Sequence, residues 1–160
     1  MANKFVFLPP QSDLFAEWIP RLLDSAPGWD IATPTTDEQA LKEIADADAA
    51  YGTMTPELVA AAPNLRWLQA PAAAPNAGYY FDELIAHPTK VTNFREIYND
   101  HISVQILTYM LNFTKHFNIY RDQQSEHKYE VLESPNHDIF LPKSTVLIVG
   151  VGGIGTETAR

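Results

Sequence analysis

From Lys4 to Asn93, short apolar runs suited to β-strands alternate with segments whose apolar residues recur at helical spacing. This alternation constrains the fold more than any other feature, because strands separated by helices pair in parallel and need a crossover on a sheet face. Lys4 to Leu8 reads as the first strand. Leu14, Trp18, Leu22 and Leu23 mark a helix that stops before Pro27-Gly28. Trp29 to Ala32 is a second strand, Asp37 to Ala45 an amphipathic helix and Ala49 to Gly52 a third strand. Thr55 then caps a helix with Pro56 at its first position, and the apolar face runs on to Ala62. Pro63-Asn64 turns the chain into a fourth strand, Leu65 to Gln69, followed by an Ala/Pro loop from Ala70 to Asn76. A short helix from Phe81 to Ala86 and a strand from Lys90 to Asn93 complete an α/β, parallel-sheet pattern.

The strongest helical period lies beyond it. Ile102, Ile106, Met110, Phe113, Phe117 and Tyr120 form one stripe, which predicts a single long helix from Asn99 to Tyr120. Leu107, Tyr109 and Leu111 broaden the stripe, so the helix is expected to be covered by another domain or subunit. Gln123 to Pro142 is polar and reads as a connecting arm. Val146 to Val149 is then a buried strand ending in Gly150-Val151-Gly152-Gly153-Ile154-Gly155, shortly before Arg160.

Composition narrows the function classes. A 46% hydrophobic content over 160 residues can fill a core, and with no cysteine there is no disulfide, thiolate metal site or cysteine nucleophile. Twenty acidic against eleven basic residues give a net charge of -9, which disfavours nucleic acid and anionic membranes as partners. No apolar run approaches the roughly 20 residues that span a bilayer, and Phe5 to Leu8 is too short for a signal core. A cytoplasmic protein is expected.

The spacing Gly150-x-Gly152-x-x-Gly155, after a predicted strand and before a predicted helix, is the context in which such glycines bind a dinucleotide. Gly150 permits a tight turn, Gly152 lets the backbone approach a pyrophosphate, and Gly155 allows close helix packing, while Gly153 and Ile154 open the helix whose N-terminus attracts the phosphates. The acidic residue that binds the ribose is expected about 20 residues further on, past Arg160, so NAD and NADP are not distinguished. Tyr51 and Gly52 end a strand, where ligands gather in open α/β sheets, although a plain turn explains them equally well. His101 sits at the start of the long helix and reads as a helix-start residue rather than an acid-base group. His116, His127 and His137 lack metal-ligand spacing and are expected at the surface, with no metal site.

The run Ala47-Asp48-Ala49-Ala50-Tyr51-Gly52-Thr53-Met54-Thr55-Pro56-Glu57-Leu58, with Ala61 to Gln69, Thr92 to Ile102 and the glycine motif, resembles the N-terminal part of D-isomer-specific 2-hydroxyacid dehydrogenases. The resemblance covers nearly the whole chain. It implies a flavodoxin-like substrate domain over residues 1–98, an interdomain helix and arm over 99–143, and over 144–160 the first strand and glycine turn of a truncated Rossmann domain. It further implies hydride transfer between NAD or NADP and C2 of a small 2-oxo or 2-hydroxy acid. The loop after the fourth strand, here Pro71 to Asn76, would offer the backbone amides of Ala73 and Ala74 to the substrate carboxylate. Three positions depart from the family: Ala74 and Glu96 stand near usual glycines, and Val104 near a usual acidic residue. The family's catalytic Arg, Glu and His follow the glycine motif, so no catalytic residue is expected in this chain. A homodimer is the expected assembly. The rival reading is a non-catalytic truncated module that associates through the long helix.

Overall fold

The computed structural model describes residues 3–132 and 139–160. It divides into two compact units, residues 1–95 and 96–160.

The first unit is an α/β fold on a five-stranded sheet. Its strands are β1 (Asn3–Phe7), β2 (Trp29–Ala32), β3 (Ala49–Tyr51), β4 (Trp67–Gln69) and β5 (Lys90–Thr92). They pair in parallel in the order β2-β1-β3-β4-β5, the flavodoxin-like arrangement. Its helices are α1 (Leu14–Ser25), α2 (Asp37–Ile44), α3 (Pro56–Ala61) and α4 (Asp82–Ala86). The start signals work as local chemistry requires. Thr36 Oγ1 accepts from Gln39 N–H at 3.3 Å and Thr55 Oγ1 from Leu58 N–H at 3.3 Å, each satisfying a donor that the first helical turn leaves unpaired.

Register gives the sheet two different faces. Val6, Ala50, Leu68 and Val91 are successive cross-strand partners on one face. They pack with Ala40 and Ile44 of α2, Leu58 and Val59 of α3, and Leu84 of α4 into the core. The opposite face carries Phe5, Phe7, Ile31, Tyr51 and Trp67. There α1 reaches the sheet through Phe15, whose ring lies 5.2 Å from Phe7 and 5.3 Å from Tyr51. Pro20 lies inside α1 and removes one of its hydrogen bonds. Leu14, Trp18 and Leu23, whose spacing marks this helix in the sequence, are exposed, and a groove of about 310 Å³ lies between α1 and the sheet beside Leu22, Trp29 and Trp67. At the start of β1, Lys4 Nζ meets Glu43 at 2.8 Å and Asp46 at 2.5 Å, tying the strand to the end of α2.

The second unit contains α5 (Asn99–Thr114), α6 (Phe117–Ser125), a 3-10 turn (Leu141–Lys143) and α7 (Gly153–Thr158). Two expectations are corrected here. The continuous helix from Asn99 to Tyr120 is two helices, because His116 takes a left-handed φ of 51°. Thr114 prepares the break: its hydroxyl turns back to the Leu111 carbonyl at 3.4 Å, and its own carbonyl accepts from Ile139 N–H at 3.4 Å. The second correction concerns Val146 to Val149, which is not a strand. A strand must pair its backbone N–H and C=O groups, and among the described residues no strand lies beside this run, so Leu147 and Val149 are 87% and 93% exposed. The arm between α6 and the 3-10 turn is described only in part, and His137 lies outside the described residues.

Candidate functional site

In an open parallel sheet of this order, ligands bind beyond the carboxyl ends of the strands, near the point where strand order reverses, here between β1 and β3. Tyr51 and Gly52 stand at that point. The Tyr51 ring is half-buried, 5.6 Å from Phe7 and 6.2 Å from Phe94. Gly52 is buried with a φ of +132°, and a Cβ on it would lie 2.9 Å from Leu8 Cβ, so both backbone shape and space exclude a side chain. Its N–H donates to the Gln69 carbonyl at 3.1 Å and its carbonyl accepts from the Tyr79 hydroxyl at 2.9 Å. Burial pushes the Tyr79 phenol up to about 12.

The next strand end carries the loop. Ala70 is buried and its N–H donates to the Thr92 carbonyl at 2.8 Å. Ala72 and Ala73 are half-buried and Ala74 is exposed, and among the described residues no group accepts from the backbone N–H of any of the three. Methyl side chains leave these amides unshielded by bulk, and residues 69–76 carry no charge. An anion held there would rest on backbone dipoles alone. Beneath the loop, Trp67 Nε1–H donates to Thr92 Oγ1 at 2.7 Å, and that hydroxyl donates to Gln69 Oε1 at 2.6 Å, which fixes the Gln69 side chain.

The glycine turn belongs to the second unit. Gly150 has a φ of +103°. A Cβ on Gly155 would collide with the Gly150 carbonyl oxygen, and one on Gly153 would lie 2.9 Å from Asn99 Cγ, whereas nothing lies within 4 Å of the Cβ position at Gly152. Ile154 is half-buried in the first turn of α7, and Thr156 N–H donates to the Gly152 carbonyl at 2.9 Å. A tight turn, open space at its middle glycine and the unpaired amides of a helix start fit a pyrophosphate group.

The histidines separate by environment. His101 is exposed in the first turn of α5, with its backbone N–H on Asp100 Oδ1 at 2.8 Å. His116, expected as a plain surface residue, is half-buried at the joint between α5 and α6. His127 is exposed. No group of potential metal ligands clusters among the described residues. Sequence reasoning passed over Tyr79, Gln69 and Thr92. For Gln69 and Thr92 the alternation along β4 and β5 was an available signal; for Tyr79 there was none. Glu96 has a positive φ of 72°, a conformation that glycine adopts without strain, and nothing in the structure explains the glutamate there.

No family model and no curated protein matches this chain. Solved structures do. A D-isomer specific 2-hydroxyacid dehydrogenase family protein from Aeromonas salmonicida subsp. salmonicida is 24% identical, with a TM-score of 0.74 over 99% of this chain and 49% of its own. A D-lactate dehydrogenase from Treponema pallidum is 21% identical, with a TM-score of 0.76 over 99% of this chain and 49% of its own. A D-lactate dehydrogenase with NAD+ from Lactobacillus jensenii is 15% identical, with a TM-score of 0.74 over 98% and 49%. At these identities the likeness establishes the fold: an α/β chain built like part of a D-2-hydroxyacid dehydrogenase. This chain spans about half the length of those structures.

Proposed function

We propose that this chain is the substrate-binding portion of an oxidoreductase that interconverts D-2-hydroxy acids and 2-oxo acids, with residues 1–98 as the substrate domain. The observation that carries the reading is the set of unpaired amides at Ala72, Ala73 and Ala74, held at the carboxyl edge of a sheet whose fold is shared with such dehydrogenases. Backbone N–H groups aimed at a carboxylate make charge-assisted bonds without a cationic side chain, which suits a chain of net charge -9. Tyr51 and Gly52 would flank the substrate. The turn Gly150, Gly152, Gly153, Ile154 and Gly155 would hold the pyrophosphate of NAD or NADP, whose nicotinamide supplies the hydride. Among the described residues no helix is long and apolar enough to cross a membrane. The cytoplasm is the location that goes with this reading.

The test uses the 160-residue chain. Titration of ¹⁵N-labelled protein with pyruvate is expected to shift the Ala72 to Ala74 amides saturably; resonances that do not move would sink the carboxylate role. With NADH or NADPH and pyruvate, glyoxylate or hydroxypyruvate, the chain alone is expected to give no turnover, because the Arg, Glu and His series that the resemblance implies follows the glycine motif and is not among these 160 residues. Turnover that survives repurification and disappears in His101→Ala would overturn that assignment. A second reading, an assembly module that forms a homodimer, draws on the exposed Val104, Tyr109, Leu111 and Phe113 of α5. Light scattering discriminates it: a dimer that binds no pyruvate favours the module, and a monomer that binds pyruvate favours the substrate domain.

A further inference from the structure

The Ala/Pro loop is anchored at two points and bare between them. At its start, Ala70 N–H is held by the Thr92 carbonyl. At its end, Tyr79 N–H donates to the Asn76 carbonyl at 3.1 Å, and the Tyr79 ring is buried in the core with its hydroxyl on the Gly52 carbonyl. Gly52 is itself immobilised, packed on Leu8 and bonded to the Gln69 carbonyl, so one buried oxygen joins the ends of β1, β3 and β4 to the close of the loop. No other side-chain hydrogen bond among the described residues reaches from residues 71–79 to the strands.

We propose that Tyr79 is a positioning residue: its hydroxyl, through the Gly52 carbonyl, sets the arrangement of residues 71–78 and thereby the carboxylate affinity of the Ala72 to Ala74 amides. The inference rests on the carboxylate reading of that loop. A buried acceptor that loses its donor keeps its full desolvation penalty, so the loop end relaxes to satisfy it. Loss of the hydroxyl acts at a distance, since Tyr79 need not touch the ligand.

The experiment compares wild-type chain, Tyr79→Phe and Ile44→Val, the last removing one methylene from the core at α2, away from the loop. The probe is pyruvate, followed on the ¹⁵N amides of Ala72 to Ala74. Tyr79→Phe, which keeps the ring, is expected to raise the pyruvate dissociation constant about fivefold or more, the factor that goes with losing one buried hydrogen bond. Its ligand-free shift changes should concentrate at Gly52 and residues 70–78. Near-ultraviolet titration should also lose the late-ionising phenol. Ile44→Val is expected to lower the thermal midpoint while leaving the loop amides and the pyruvate affinity unchanged, which separates positioning from loss of stability. If Tyr79→Phe leaves loop shifts and affinity as in wild type, the proposal is overturned. If pyruvate moves no wild-type amide, the carboxylate reading fails. Positioning is then decided by the ligand-free spectra alone: displaced Ala72 to Ala74 resonances in Tyr79→Phe, absent from Ile44→Val, support it, and unchanged ones refute it.

Discussion

Residues 3–95 and 96–160 both contain dense apolar runs, yet only the first converts them into a core. Among the described residues, the buried apolar side chains all lie before residue 96, while the buried residues after it are Ser103 and Thr114. Val6 and Leu68 are completely buried because each strand has neighbours in register and helices on its covered face. Leu147 and Val149, in an equally strand-like run, are almost fully exposed. An apolar pattern therefore specifies what a segment buries once a partner layer exists. It does not create the layer.

The largest effect that could break this comparison is core truncation. Leu68→Ala should cost about 2–5 kcal/mol in urea unfolding, from lost transfer energy plus the cavity left behind. Leu147→Ala should stay within about 0.5 kcal/mol, as for an exposed side chain. Comparable costs at the two positions would mean that the second run is buried in solution. Glycine replacement comes next. Gly52→Ala forces a Cβ into a positive-φ position 2.9 Å from Leu8 Cβ and should cost about 1–3 kcal/mol or more. Gly152→Ala meets open space and should leave the urea midpoint within about 0.5 kcal/mol.

The same difference explains how much of the molecule was legible in advance. In the first unit the strands and helices fall within a residue or two of their sequence signals, because Thr55-Pro56, Pro27-Gly28 and the strand alternation act locally and the partners are close by. The break at His116 was hidden because one of its causes, the bond from Ile139 N–H to the Thr114 carbonyl, joins residues far apart in sequence. At the site, the position of the Ala/Pro loop could be read from the end of β4 and that of the glycine turn from the spacing Gly150-x-Gly152-x-x-Gly155, although the strand expected before that turn is absent. The Tyr79 clamp could not, since periodicity carries no information about a hydroxyl reaching a carbonyl 27 residues away.

The pH dependence of the first unit is a smaller effect with a definite sign. Burial raises the folded Tyr79 phenol from 10.0 to about 12, so the folded state holds its proton more tightly. That contribution is fully present below pH 10 and disappears as pH rises from 10 towards 12. Lys4 acts in the same window: burial of its ammonium lowers its value, but the bonds to Asp46 and Glu43 outweigh this and raise it above 10.5. Asp46 acts at the other end. The Lys4 hydrogen bond lowers its value below 3.8, so its contribution is present above that pH and is lost as pH falls through the folded value. Thermal midpoints measured across alkaline pH should fall less steeply for Tyr79→Phe than for wild type. An identical slope would remove Tyr79 from the account.

The smallest expected effect is a gain, and it lies in the second unit. α6 ends in a Schellman arrangement, with Lys128 N–H on the Gln123 carbonyl at 2.9 Å and His127 N–H on the Gln124 carbonyl at 3.1 Å. The residue that turns the chain there is His127, at a φ of 54°, a conformation glycine adopts at no steric cost. Its side chain is exposed, so His127→Gly should relieve left-handed strain of about 1 kcal/mol at most. Because among the described residues no buried apolar cluster includes α6, the gain should register locally, as slower amide exchange at Lys128 and through the last turn of α6, with the urea midpoint of the 3–95 core unchanged. If the substitution raises that midpoint instead, the two units unfold as one body, and the contrast between a packed first unit and a locally stable second one is wrong.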